Sequence, residues 1–205
     1  MTISFSAVCI PPMFVKKANA LLSDSNARVA TVVGFPFGYS AIESKVAEAV
    51  LAIVDGADEL DIMINLVAIK NKDWQYVARE ISTVLSVTKK AGKKIKVIVE
   101  ASLLNDEEII ACCDIYGAAG VDFLQTATGI REIHVSMEQL KLMRNHLADA
   151  IQLKLADPVC DLQSANEWIA AGANRIVCSN PLQVVKEAAS KKGGMIFGNE
   201  NAYNN

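Results

Sequence analysis

The side chains with the widest chemical range in this chain are its thiols, Cys9, Cys112, Cys113, Cys160 and Cys178, and its imidazoles, His134 and His146. A structural zinc site needs such groups a few residues apart in pairs. Neither histidine stands at that spacing from a cysteine, and the adjacent Cys112 and Cys113 point to different faces of a helix. The cysteines are odd in number and scattered, the usage of reduced, buried structural thiols rather than of a disulfide framework. A glycine-rich phosphate loop after an early strand is also missing. Arg131 offers an anion contact, or simply a solvated loop charge. Metal, disulfide and nucleotide-loop chemistry therefore drop out, which leaves carboxylates and amines placed by the fold.

The elements that place them follow a recurring pattern. Short β-branched and apolar runs cover Ala7 to Ile10, Val29 to Val33, Glu59 to Ile64, Ile95 to Val99, Phe123 to Thr126, Ile151 to Leu155 and Arg175 to Cys178. Helical stretches lie between and after them, near Pro12 to Leu22, Ser44 to Asp55, Trp74 to Ala91, Asp106 to Ala119, Ser136 to Leu147, Leu162 to Ala171 and Leu182 to Ser190. Alternation of this kind builds a parallel sheet with crossover helices. Asn105 is an N-cap before Asp106, Glu107 and Glu108 at the positive end of the fourth helix. Gly56-Ala57-Asp58, Gly120-Val121-Asp122 and Gly172-Ala173-Asn174 form a weak repeat, each closing a helix on a left-handed glycine and opening a strand. Seven units suit either a barrel short of one unit or an open doubly wound sheet, and periodicity alone does not separate them.

Composition narrows the partners. The chain has 205 residues, 52% of them hydrophobic, and a formal charge of −3. It can bury one core, and it has no basic field for nucleic acid or an anionic membrane. No apolar run is long enough to span a bilayer, and Met1 to Val15 lacks a signal peptide's basic start and cleavage site, so a cytoplasmic location is expected. The expected organisation is a single β/α-barrel domain over 1–192 followed by a polar tail over 193–205.

Five segments carry a more specific message: Ala7-Val8-Cys9-Ile10-Pro11-Pro12, Val32-Val33-Gly34-Phe35-Pro36-Phe37-Gly38, the run from Asp55 to Asn65, Val97-Ile98-Val99-Glu100-Ala101-Ser102-Leu103-Leu104, and the run from Gly120 to Gly129. In order and spacing they resemble deoxyribose-phosphate aldolase, and the likeness runs from about residue 5 to residue 190. The resemblance implies a TIM-type parallel β/α barrel and a class I aldolase. That family cleaves 2-deoxyribose 5-phosphate to glyceraldehyde 3-phosphate and acetaldehyde, with no metal and no cofactor. One lysine forms an iminium that withdraws electrons from the breaking bond, while a second lysine and an aspartate manage protons. On this likeness Asp61 matches the aspartate and Lys154 the second lysine. Cys9, Thr128 and Ser179 fall at substrate-binding positions, and Glu100 is a retained acid in the matching segments.

The likeness also has gaps. Gln125 stands where the family keeps its iminium lysine, and a carboxamide cannot form that bond. Leu155-Ala156-Asp157-Pro158-Val159 replaces a glycine-rich turn, where Asp157 adds charge and Pro158 removes an amide donor, both against a phosphate. Cys178-Ser179-Asn180 replaces a Ser/Gly-rich segment, and Ile130 to His134 departs from a glycine-rich loop. The family's first βα unit has no counterpart before Ala7, which leaves strand edges for a neighbour, a loop or another chain to cover. With Gln125 in place of one lysine, the repulsion between two ammonium groups is expected to be removed and Lys154 to face Asp61, which favours its charged form.

Three readings follow. The leading one is an aldolase relative whose catalysis is lost or strongly impaired, keeping the scaffold for binding or assembly. The second is an active aldolase working through Lys154 on a small phosphorylated sugar or aldehyde. The third is an unrelated α/β binding protein. A homo-oligomer fits any of them.

Overall fold

The computed structural model describes residues 5–131, 134–156, 161–177 and 180–190. Seven strands form one parallel sheet in chain order: β1 (Ala7–Ile10), β2 (Arg28–Val33), β3 (Glu59–Met63), β4 (Lys94–Ile98), β5 (Phe123–Gln125), β6 (Gln152–Ala156) and β7 (Arg175–Val177). The helices are α1 (Val15–Leu21), α2 (Ile42–Val54), α3 (Leu66–Lys70), α4 (Trp74–Thr88), α5 (Asp106–Ala119), α6 (Met137–His146), α7 (Leu162–Ala170) and α8 (Pro181–Ser190). Every expected run is present, within a few residues at its ends. The segment expected to be helical from Pro12 begins instead as a 3-10 turn, Pro12–Phe14, before α1. The short α3 and a second 3-10 turn, Ala101–Leu103, were not anticipated.

Two contacts show that the sheet curls. Strands β3 and β6 are separated by two others, so in a flat sheet their axes would lie about 14 Å apart. Yet the Lys154 ammonium on β6 bonds the Asp61 carboxylate on β3. Arg175 on β7 likewise reaches Glu59 on β3 at 2.6 Å. Side chains of well-separated strands meet only when the inner face closes on itself, as in a TIM-type barrel and not in an open doubly wound sheet. The order remains linear, and no ladder joins β1 to β7 among the described residues. Those end strands are also the thinly covered ones. Val8 and Val177 are each 37% exposed, whereas all of β3 is buried.

Local sequence explains the joints. Asn105 caps α5 by accepting from the Glu108 amide, and Glu108 answers by accepting from the Asn105 amide, a complete capping box. Gly120 closes the same helix at φ +70°, as the repeat implied. At Gly38, φ +71°, an added Cβ would lie 1.6 Å from the Ile64 carbonyl oxygen, so the β2–α2 loop packs directly on the end of β3 only because no side chain is there. Lys45, fully buried on α2, completes this joint. Its ammonium donates to the Met63 carbonyl and to Glu80, each at 2.7 Å.

Candidate active site

Alternation along the strands decides which groups share the interior. In the parallel pairing Gln125 lies opposite Lys154, so the two side chains stand side by side on the inner face. Phe123, two residues before Gln125, confirms that orientation. Its ring lies 4.8 Å from the Arg175 guanidinium carbon and 6.0 Å from the Lys96 ammonium. Glu59 and Asp61 share one face of β3 in the same way.

The charges form a chain through the barrel. Lys154 bonds one Asp61 oxygen and Lys96 the other, the latter at 2.6 Å. Lys96 also reaches Glu59 at 2.6 Å, and Glu59 meets Arg175. Cations and anions therefore alternate from Lys154 to Arg175. Burial alone would raise the Asp61 carboxyl, but the charges of Lys96 and Lys154 outweigh it and hold the group below the ordinary carboxylate range. Glu59 is lowered similarly, against its burial, by Lys96 and Arg175. For Lys154 the dominant influence is burial, which lowers the amine; Asp61 opposes that shift and Lys96 reinforces it.

Lys154 faces Asp61 as expected, but the expected removal of ammonium repulsion is incomplete, because Lys96 supplies a second ammonium on the same carboxylate. Lys96, Glu59 and Arg175 were all overlooked. The available signal was a lysine set inside the apolar run Ile95-Lys96-Val97 and two acids at alternate positions of Glu59-Leu60-Asp61. A strand buried along its whole length exposes neither, so such charges must pair inward.

Cys9 joins the group at its edge, its sulfur 3.8 Å from an Asp61 oxygen. The residue keeps solvent contact on β1, a correction to the buried thiol expected there, while Cys112 and Cys113 are buried as expected. Protein packed around the Cys9 sulfur and then the Asp61 charge push its thiol up to about 11, so it is a poor nucleophile near neutral pH.

The ends of β4 and β5 look different. Glu100 is buried and left-handed at φ 50° and ψ 55°, a strained setting for a residue with a Cβ. It is held there because the next amide, Ala101, bonds the Thr126 carbonyl at 2.7 Å while its own carboxylate accepts the Thr128 amide at 3.0 Å. Gln125 donates to the Ala127 carbonyl at 2.7 Å. Both side chains thus fasten one turn, 126–128. Each has one oxygen, Oε1, buried without a hydrogen-bond partner. Thr128 itself acts through its backbone here, its hydroxyl accepting from the Ile130 amide at 3.3 Å. Arg131 is exposed. Ser179, Asp157, Pro158, Cys160 and Cys178 lie outside the described residues, as does the 193–205 tail. Among the described residues no group of three His, Cys, Asp or Glu side chains could hold a metal ion.

A buried aspartate bonded by lysines from two strands is an arrangement able to exchange protons with a ligand. The family model for DeoC/LacD family aldolases matches residues 2–199. The chain belongs to that family. A deoxyribose-phosphate aldolase of Thermococcus kodakarensis is 41% identical over 186 residues, covering 90% of this chain and 83% of the relative. One from Caldanaerobacter subterraneus subsp. tengcongensis is 40% identical, covering 89% and 80%. Among solved structures, the aldolase QR15 superposes with a TM-score of 0.85 at 35% identity, covering 92% of this chain and 83% of that one. The deoxyribose-phosphate aldolase of Aeropyrum pernix, which is tetrameric, gives 0.82 at 26% identity, covering 91% and 78%. The aldolase fold and the family resemblance expected from the five segments are thus established. No helix among the described residues is long and apolar enough to cross a membrane.

Proposed function

We propose that this chain is a deoxyribose-phosphate aldolase relative that keeps the barrel and its proton-handling charges but has lost, or strongly impaired, turnover by the iminium route. The observation that carries this reading is Gln125. It stands on the inner face beside Lys154, where the family resemblance puts the lysine nucleophile, and its amide nitrogen is committed to the Ala127 carbonyl. A carboxamide nitrogen shares its lone pair with the carbonyl and does not add to an aldehyde. Removing a covalent nucleophile costs on the order of 10⁴ to 10⁶ in rate, which binding does not restore.

The ligand class in this reading is a small phosphorylated sugar or aldehyde, and Asp61 and Lys154 are the groups that would exchange protons with it. A homo-oligomer is part of the proposal, since β1 and β7 leave Val8 and Val177 thinly covered. A cytoplasmic setting and one barrel domain over 1–192 complete it.

A second reading rests on one observation, the burial that lowers Lys154. A larger neutral fraction makes it a better nucleophile. Its amine would add to the substrate carbonyl carbon, water would leave, and the electron pair of the breaking carbon–carbon bond would pass to the iminium as an enamine. Its salt bridge to Asp61 opposes this, because the amine must first surrender a proton.

Release of glyceraldehyde 3-phosphate from 2-deoxyribose 5-phosphate separates the two. The leading reading expects wild-type turnover at least about 10⁴-fold below that of an active family member. Wild-type turnover within about tenfold of such an enzyme refutes it.

A further inference from the structure

The parallel sheet stops one strand short of closure. A barrel of this class closes on eight strands, and β1 to β7 supply seven in unbroken chain order, with no ladder between β1 and β7 among the described residues. The two strands that flank the gap are open where β3 is sealed: Val8 and Cys9 are exposed on β1 and Val177 on β7, while every residue of β3 is buried. An open edge presents amide and carbonyl groups that pair with an extended chain laid beside it.

Chain connectivity decides which segment reaches the gap first. All six neighbouring pairs of strands are parallel, and a crossover helix joins each pair. Crossovers of this kind are right-handed, which delivers each new strand to the free edge of the one before it. Helix α8 follows β7 in the same way, and its Val184 packs with Leu162 and Ala165 of α7 in the outer layer. The segment after α8 is therefore delivered to the free edge of β7, facing β1.

Spacing and composition agree. In the six crossovers a strand begins four to seven residues after the helix ends, from Ala119 to Phe123 at the short limit and from Leu21 to Arg28 at the long one. The described part of α8 ends at Ser190, and Met195-Ile196-Phe197 begins within that interval. Gly193 and Gly194 precede it as Gly56, Gly120 and Gly172, each at positive φ, precede β3, β5 and β7. Three residues make a whole strand in this sheet, as in β5 and β7. Both faces of the run are apolar, the pattern of a parallel strand covered on both sides.

We propose that Met195-Ile196-Phe197 pairs in parallel between β7 and β1 as the eighth strand, so that the segment following α8 closes the barrel. These three residues bring no helix with them, and the outer side of the gap stays open to contact between copies. The proposal stands apart from the loss-of-catalysis reading, because closure does not depend on which lysine reacts.

Hydrogen–deuterium exchange on the full chain, resolved by NMR, tests it. The wild-type amides of Ile196 and Phe197 are expected to exchange at least about a hundredfold more slowly than in an unstructured chain, at rates unchanged by dilution. Exchange at the unstructured rate overturns the proposal. Protection that fades on dilution also overturns it, because a second copy paired edge to edge is then the occupant. Ile196→Pro removes a ladder donor from the middle of the run. With the β3 and β4 amides still protected, the variant should exchange at least about tenfold faster at Ala7–Ile10 and Arg175–Val177. Unchanged rates on both strands overturn the pairing. If Ile196→Pro does not fold, nuclear Overhauser contacts from Met195–Phe197 in the wild type decide: contacts to β1 and β7 support the eighth strand, and their absence refutes it.

Discussion

Two halves of the same barrel mouth are built by opposite rules. Across β3, β4 and β6 each ammonium meets a carboxylate, and Asp61 is shared by Lys96 and Lys154. At the ends of β4 and β5, Glu100 and Gln125 each keep an unpartnered oxygen, and Glu100 holds a left-handed backbone. The first half holds itself together whatever its chemistry, because removing one charge strands another. The second half leaves two buried oxygens unused by the protein. A substitution at Gln125 therefore disturbs no ion pair, whereas one at Asp61 disturbs two.

The strongest way to break the comparison is at Asp61. Asp61→Leu leaves Lys96 and Lys154 buried with one carboxylate, Glu59, between them, and urea unfolding should show a loss of about 3 to 5 kcal/mol. A loss below about 1 kcal/mol would mean the charge chain does not support the fold. Next comes Gln125→Lys, which puts another ammonium beside Lys154 and should cost about 1 to 3 kcal/mol while creating a borohydride-trappable amine at 125. A stable variant with no adduct would place the defect elsewhere than at position 125.

Away from both halves, Asn105→Ala removes the α5 cap, and the same unfolding assay should read about 1 kcal/mol. It calibrates how much a purely structural contact is worth here. The smallest expected effect is a slope. The Asp61 carboxyl is lower in the folded chain than in the unfolded one, so its contribution is present above the ordinary carboxylate pKa near 3.9 and is lost as pH falls through the lower folded value. Stability below about pH 4 should therefore decline more steeply in wild type than in Asp61→Asn, and parallel slopes would contradict the charge arrangement.

The sequence was informative where local chemistry set the outcome. Asn105 with Glu108 fixed the start of α5, and Gly120 fixed its end. Periodicity located the strands but could not tell a barrel from an open sheet, because closure depends on contacts such as Arg175 to Glu59 between residues far apart in the chain. Lys96 was hidden for another reason: only the register of β3 against β4 sets it directly opposite Asp61. Asp61, Gln125 and Lys154 were singled out through family resemblance, and the structure sets Lys154 against both of the others. The orphaned oxygens of Gln125 and Glu100 were not, since an unmet hydrogen bond is a property of packing rather than of residue type. The five-residue helix α3 escaped because Leu66-Val67-Ala68-Ile69 reads as a continuation of the apolar run before it.

The central claim is that no lysine in this barrel forms an iminium efficiently. Incubating the wild-type chain with 2-deoxyribose 5-phosphate, reducing with borohydride and mapping adducts by peptide mass spectrometry tests it directly, with Gln125→Lys treated in parallel. The account predicts an unmodified wild-type Lys154 and an adduct at position 125 of the variant. A reduced adduct on wild-type Lys154 would contradict it and establish that amine as the nucleophile.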